Sequence, residues 1–149
     1  MLPLRDAAIA IAWSQMGKPY IWGGDDAVLG FDCSGFVQEP LRSVGILPRK
    51  IDYSADGLLN VAFRDIPRTN DRHQLREGML VFWARPDNTM RHVEMVWRAL
   101  VDRVLIIGAA GGGANTKTPA DAIRDNAYVR VDPLGSDWFC AVDPFPTPF

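Results

Sequence analysis

Residues 30–37 read Gly-Phe-Asp-Cys-Ser-Gly-Phe-Val, and they mark the start of a helix with a cysteine in its first turn. Asp32 is a residue type preferred at helix N-caps, and apolar residues at helical spacing follow it. Pro40 falls inside this segment, where we expect it to kink or shorten the helix. The sequence therefore predicts a helix that runs from Cys33 toward Val44.

The segments around this helix change period along the chain. An apolar helical pattern from Leu4 to Gly17 precedes it, and a short helix capped by Ser54 is expected over 54–62. Five later segments, rich in β-branched and aromatic residues, are predicted strands: 79–85, 92–99, 103–109, 127–131 and 139–142. This order is typical of an α+β fold with helices on an antiparallel sheet. No linker or repeat divides residues 1–149, so we expect a single domain.

Composition excludes several classes of function. The 149 residues include 16 Lys and Arg against 18 Asp and Glu, a net charge of −2 that argues against nucleic-acid binding. No apolar run approaches the roughly 18 residues that cross a bilayer, so no membrane partner is expected. Two cysteines and two histidines, without CxxC or HExxH, argue against a disulfide framework or a zinc site. We expect no metal and no organic cofactor.

Cys33 is the first candidate for chemistry. Unpaired backbone N–H groups and the positive end of the helix dipole favour a thiolate at a helix start. The same N–H groups can stabilise an oxyanion when the sulfur attacks a carbonyl, and Gly35 leaves the approach open. The alternative is a buried structural cysteine, which is the commonest role of a free cysteine.

His92 is the candidate base. It opens an apolar strand after a turn-like stretch over 86–89, where it can reach a sulfur at a helix start. The alternative is a strand-end histidine that binds only water. His73 lies among charged residues and is expected to be solvated, and Cys140 is expected in the core. A disulfide between Cys33 and Cys140 would silence a thiol enzyme, so the two sulfurs are expected to lie apart.

Four blocks of sequence together resemble the NlpC-type cell-wall cysteine peptidases, which are bacterial and phage members of the papain-like superfamily. The blocks are GKPYIWGG at 17–24, DCSGFV at 32–37, EGMLVFW at 77–83 and His-Val at 92–93. They come in the family's order, and the resemblance spans about residues 5 to 110. It implies a papain-like, NlpC-type α+β fold, with N-terminal helices packed on a five- to six-stranded antiparallel sheet.

The resemblance also implies an activity and a set of site residues. The activity is hydrolysis of an amide in peptidoglycan stem peptides, often after D-glutamate. Cys33 is then the nucleophile, and His92 is the general base and later the acid. Tyr20 lies beside the nucleophile, and Asp32 and Ser34 contact the peptide, with Asp32 a partner for a free amino group.

The chain departs from the family pattern at the residue that orients the histidine. Family members usually carry a polar residue for this purpose on the next strand, but there the register places Gly108 or Ala109 opposite His92. Three substitutes remain open: a backbone carbonyl, Glu94 on the same strand face as His92, and Asn115 from the glycine-rich loop. The missing residue also allows a domain that is weakened or catalytically silent. Glu94 is the candidate side chain for orienting His92.

Two further stretches bear on function. The glycine-rich stretch over 111–118 has Thr116 where a phosphate-binding loop needs glycine, so a loop bordering the active site is expected instead. Three prolines over 144–149 predict an extended Pro/Phe tail.

The route to the wall is a separate expectation. The first residues do not form a convincing signal peptide and no wall-binding repeat is evident, so we expect a phage tail or similar particle to deliver the domain to the cell wall or periplasm. Two alternatives stay open. One is a structural component of such a particle, with weak or no catalysis. The other is amidase or acyltransferase chemistry on the same fold.

Overall fold

Helices occupy mainly the first half of the chain, and the second half forms a sheet, as the sequence predicts. The computed structural model describes residues 3–145. The helices are α1 (Leu4–Ser14), α2 (Cys33–Ser43), α3 (Ala55–Gly57, continued by a π-type turn over Leu58–Ala62) and α4 (Pro119–Asp125). The strands are β1 (Asp25–Asp26), β2 (Gly30–Phe31), β3 (Leu80–Ala84), β4 (Met90–Ala99), β5 (Val104–Ala110), β6 (Tyr128–Pro133) and β7 (Cys140–Val142).

Side-chain caps start the helices where the sequence predicts them. The Asp32 carboxylate accepts a 2.8 Å hydrogen bond from the Gly35 N–H at the start of α2, and the Ser54 hydroxyl accepts one from Gly57 at α3. α2 continues past the buried Pro40 and ends three residues later at Ser43. The N-cap of α2 therefore fixes where Cys33 begins the helix.

β3 to β7 form one five-stranded antiparallel sheet in the order β6-β5-β4-β3-β7. Both faces of this sheet are buried. Successive side chains of β4 point to opposite faces, and they pack in two different hydrophobic clusters. Met95 packs in the larger cluster with Phe36 of α2, and Val96 packs in the smaller one with Leu75 and Leu134. The expected α+β architecture with a five- to six-stranded sheet is confirmed.

β1 and β2 form a separate two-stranded hairpin where the sequence indicates only a loop. Strands of two residues are too short to show an alternating pattern. The hairpin packs against α2 and carries the chain from the Tyr20 segment to Asp32. No helix among residues 3–145 is long and apolar enough to cross a membrane.

The register of β4 and β5 corrects one expectation. The hairpin closes with Ala99 opposite Val104, a bulge shifts the pairing, and Met95 then pairs with Ile107. Continuing this register places Gly108 opposite Glu94, and Ala110 rather than Gly108 or Ala109 opposite His92. The expectation was wrong because the turn and the bulge together determine which β5 residue lies opposite each β4 residue, and the bulge is not evident from composition.

The described part of the C-terminal tail packs on the domain itself. Phe145 is buried, and the Arg5 guanidinium of α1 lies 4.8 Å from the centre of its ring. Arg5 also donates a 2.8 Å hydrogen bond to Asp143. Phe145 thus covers the core of its own domain, while the rest of the predicted tail, 146–149, lies outside the described residues.

Candidate active site

Cys33 is the first residue of α2, where the Asp32 cap holds the helix start in place. Its side chain is partly accessible, whereas Cys140 is buried in β7. Both cysteines are free thiols, as the sequence analysis requires of a thiol nucleophile. Cys33 therefore combines access from solvent with the electropositive end of a helix.

His92 lies near the start of β4, and three neighbours fix its ring. The ring packs on Trp83 of β3 with 5.1 Å between ring centres, and its Nε2 lies 3.0 Å from Oε2 of Glu94. The Cys33 thiol interacts with the same imidazole. The start of β4 is tied to α3, because Met90 donates its N–H to Asp56 at 3.0 Å. The tertiary structure thus brings Cys33 and His92 together.

These contacts change the acidity of His92. Burial is the largest influence and lowers its pKa, but the hydrogen bonds and negative charges of Cys33 and Glu94 outweigh burial and raise the pKa to about 9. The imidazole is therefore positively charged at neutral pH. A charged imidazolium beside a sulfur stabilises a thiolate there and can donate a proton to a leaving group.

Of the three substitutes for the missing orienting residue, Glu94 is the one that contacts His92. Its side chain is 6% exposed, and its carboxylate is in contact with the ring. Asn115 is exposed in the loop after β5, where its carbonyl accepts a hydrogen bond from Arg124. The geometry therefore favours the carboxylate on the same strand.

Tyr20 is buried, and its phenol lies close enough to Cys33 and Asp32 to interact electrostatically with both. Burial, followed by these two charges, raises the pKa of Tyr20 well above its usual value, so the hydroxyl stays neutral and can donate. The ring packs against Gly112, where a Cβ atom would lie 2.2 Å from the ring. The glycine-rich loop after β5 thus makes room for Tyr20.

Asp32 and Ser34 lie at the cleft but are also used by the local structure. The Asp32 carboxylate caps α2 and accepts hydrogen bonds from the Ser34 hydroxyl and the Gly23 N–H, both at 3.2 Å. Burial raises the pKa of Asp32, against the effect of these hydrogen bonds. A contact of Asp32 or Ser34 with a peptide stays a prediction.

The site opens into a cleft of about 450 Å³ that has residues of opposite charge along its lining. Asp52 is an acidic lining residue held by the buried Gln38, which donates to Asp52 at 3.1 Å and bonds the backbone of Tyr53. Arg85 and Arg91 are basic lining residues. Sequence reasoning missed these residues because no motif marks them: Asp52 and Arg91 lie between predicted elements, and Arg85 ends the strand predicted over 79–85.

Trp22 is not a core residue: it is 53% exposed and lines the cleft. Its backbone N–H donates to the Thr116 carbonyl at 2.7 Å. This contact ties the Tyr20–Trp22 segment to the glycine-rich loop. Among residues 3–145, no group of three or more His, Cys, Asp or Glu side chains could hold a metal ion.

Comparison with known proteins gives relatives with assigned activities. Residues 17–130 match the NlpC/P60 family. The chain is 35% identical over 94 residues to the peptidoglycan endopeptidase RipA of Mycolicibacterium smegmatis, covering 55% of this chain and 17% of RipA. It is 34% identical over 96 residues to a γ-D-glutamyl-L-lysine dipeptidyl-peptidase of Bacillus cereus, covering 62% of this chain and 26% of that enzyme. The chain therefore spans only about a sixth to a quarter of the length of these relatives.

Among solved structures, RipD of Mycobacterium tuberculosis has a similar fold. The TM-score is 0.60 at 17% sequence identity, over 95% of this chain and 98% of RipD. RipD is described as a non-catalytic NlpC/p60 domain protein adapted to peptidoglycan binding. This likeness concerns the fold. Because the family match covers most of the chain, the protein belongs to the NlpC/P60 family.

Proposed function

We propose that this protein is a cysteine peptidase that hydrolyses an amide bond in peptidoglycan stem peptides. The observation that carries the proposal is that Cys33 lies near enough to His92 to raise the pKa of the imidazole, while Glu94 contacts the same ring at 3.0 Å, beside an open cleft. Relatives named as peptidoglycan endopeptidases support this substrate class. The reaction needs no metal or organic cofactor.

The proposed mechanism uses the residues in fixed roles. The Cys33 thiolate attacks the amide carbonyl, and the oxyanion accepts hydrogen bonds from the Cys33 N–H and the neutral Tyr20 hydroxyl. His92, already protonated, donates its proton to the leaving amine as the carbon–nitrogen bond breaks. The neutral imidazole then takes a proton from water, which attacks the thioester and releases the carboxylate product. Glu94 orients the ring throughout.

The lining of the cleft suggests how a peptide binds. Asp32 and Asp52 supply negative charge that fits a free amino group, and Arg85 and Arg91 supply positive charge that fits a carboxylate. A stem peptide cut after D-glutamate offers both groups close to the scissile bond. We therefore propose this bond as the target, in line with a relative named as a γ-D-glutamyl-L-lysine dipeptidyl-peptidase.

The test is digestion of purified peptidoglycan, followed by mass spectrometry of the soluble fragments. Wild-type protein should release fragments with a new amino terminus, and Cys33→Ala should release none. The mass of the fragments names the bond that is cut. Transfer of the acyl group to an added amine instead of water would favour acyltransferase chemistry, and release of ammonia would favour amidase chemistry.

A second candidate is a peptidoglycan-binding domain without catalysis, which the fold of RipD favours. It predicts sedimentation of the protein with insoluble peptidoglycan and no release of fragments by either wild type or Cys33→Ala. The proximity of Cys33 to His92, which raises the pKa of the imidazole, supports the catalytic candidate over this one. A single domain over 1–149 and delivery by a phage tail or similar particle remain predictions from the sequence alone.

A further inference from the structure

The carboxylate of Glu94 is placed in an unusual way for a strand residue. Its side chain is 6% exposed, Oε2 contacts His92, and Oε1 is buried without a hydrogen-bond partner among residues 3–145. A buried carboxylate oxygen without a partner is costly, so the position of this group needs an explanation. A neighbouring residue of the sheet must leave room for this carboxylate.

Gly108 of β5 provides that room. A Cβ atom on Gly108 would lie 2.4 Å from Cγ of Glu94 and 2.6 Å from its Oε1, closer than real Cβ contacts come. Glu94 therefore occupies the space that a side chain at position 108 would fill. The β5 residues two positions away on this face, Ile106 and Ala110, both carry buried side chains. Gly108 is thus a local gap in an otherwise filled face.

The backbone does not itself require glycine at this position. Gly108 lies within a regular antiparallel strand and is not among the residues with positive φ. A glycine inside a strand weakens the strand, because it adds chain entropy and packs no side chain. The close approach of the Glu94 side chain therefore explains why residue 108 is glycine.

We propose that Gly108 is a positioning residue for the reaction: its missing side chain forms the niche that holds the Glu94 carboxylate against Nε2 of His92. In the family pattern, the residue that orients the histidine lies on the neighbouring strand. Here Glu94 of β4 takes that role, and β5 contributes only the space left by Gly108. This inference rests on the proposed function for its effect on catalysis. Its effect on the titration of His92 does not depend on any activity.

The niche has a defined electrostatic consequence. The titratable groups that act on His92 are Cys33 from α2 and Glu94 from β4, while β3 presents the uncharged Trp83 ring. A carboxylate held at Nε2 fixes the ring orientation and leaves Nδ1 as the nitrogen available to Cys33. It also favours the imidazolium, which the leaving amine requires. Filling the niche should remove both effects together.

The test is Gly108→Ala, with Glu94→Ala and the double variant as matched partners. In Gly108→Ala the new methyl displaces Glu94, so we expect the pKa of His92, measured by NMR titration, to fall. Because a misplacement of about 1 Å can cost about 100-fold in rate, we expect a kcat loss of that order with KM nearly unchanged. In the Glu94→Ala background, the change Gly108→Ala should cost nothing further, in either kcat or the pKa of His92.

Two outcomes overturn the proposal. One is an unchanged pKa of His92 in Gly108→Ala, and the other is an equal loss from Gly108→Ala with and without the Glu94 side chain. If Gly108→Ala does not fold, the double variant is tested instead, because it lacks the clash between the new methyl group and Glu94. The proposal requires that it fold and that its kcat and its pKa of His92 match those of Glu94→Ala. Misfolding of the double variant would show that Gly108 is needed for packing alone.

An exchange variant gives a positive test of the same niche. Glu94→Gly combined with Gly108→Glu moves the carboxylate to β5 and the gap to β4. We expect it to recover a raised pKa of His92 relative to Glu94→Ala, and no recovery would count against the niche. The titrations are repeated with Cys33→Ala, which cannot react. A wild type without hydrolysis would then refute the proposed function and still leave the niche testable.

Discussion

Glu94 and His92 lie two positions apart on one strand, and their side chains meet, with 3.0 Å between Oε2 and Nε2. Side chains at this spacing point to the same face of the sheet. On that face the neighbouring strand β5 has no side chain at Gly108, which leaves room for Glu94. The contact gives a histidine that is positively charged beside the candidate nucleophile Cys33.

Replacement of Cys33 should abolish hydrolysis and leave the fold intact, because Cys33 is only partly buried and alanine removes a single side-chain atom, the sulfur. Release of peptidoglycan fragments by Cys33→Ala is the measurement. Cys140→Ala is the matched control, since this buried thiol lies in β7 outside the cleft, and it should keep activity. Iodoacetamide should label Cys33 well before Cys140. Fragment release by Cys33→Ala would rule out the mechanism.

The activity of the wild type should fall as the pH rises through about 9, where His92 loses its proton. The reason is that a neutral imidazole can no longer protonate the leaving amine. The measurement is kcat/KM against pH with a soluble stem peptide. In Glu94→Gln the same alkaline limb should move to lower pH, because one of the two groups that raise the pKa of His92 is lost. An alkaline limb at the same pH in both proteins would contradict the assignment.

Stability should depend on pH through the same histidine. Its pKa is raised in the folded protein, from 6.5 to about 9, so its contribution is complete below 6.5 and is lost as the pH rises through 9. The free energy of unfolding should fall over this window by up to about 3 kcal/mol. Denaturant titrations of wild type and His92→Ala at matched pH values measure it. The two proteins should show the same pH slope if His92 makes no such contribution.

Tyr20→Phe should lower kcat by about 100-fold or more, the cost of removing one oxyanion donor, while the stability changes little. The ring stays in place against Gly112, and only the hydroxyl near Cys33 is removed. Thermal unfolding serves as the control measurement. A variant with wild-type kcat would show that the hydroxyl does not act on the reacting carbonyl.

Asp52→Asn should raise KM for peptides with a free amino terminus and leave kcat nearly unchanged. Gln38 holds Asp52 at the cleft, so the neutral amide keeps the shape and removes only the charge. Acetylated peptides provide the control, since they lack the positive charge that Asp52 would bind. An equal effect on free and acetylated peptides would argue against this role for Asp52.

Local patterns in the sequence predicted much of the fold. Caps at Asp32 and Ser54, helical spacing in the first half of the chain and β-rich segments in the second half place most elements within a few residues of their observed bounds. These signals act between neighbours in the chain, so they can be read without knowing the tertiary structure. The two-stranded hairpin of β1 and β2 was missed, because strands of two residues are too short to show an alternating pattern.

The sequence by itself determined the family, the fold class and the candidate pair Cys33 and His92, because each depends on residue type and order along the chain. Only the tertiary structure decided which side chain contacts His92, namely Glu94. The β4–β5 register set Gly108 beside Glu94, and packing placed Asp52 and the arginines at the cleft. These relationships join residues that are far apart in the chain. Their geometry depends on a bulge, a turn and the packing of side chains, which become defined when the whole domain folds.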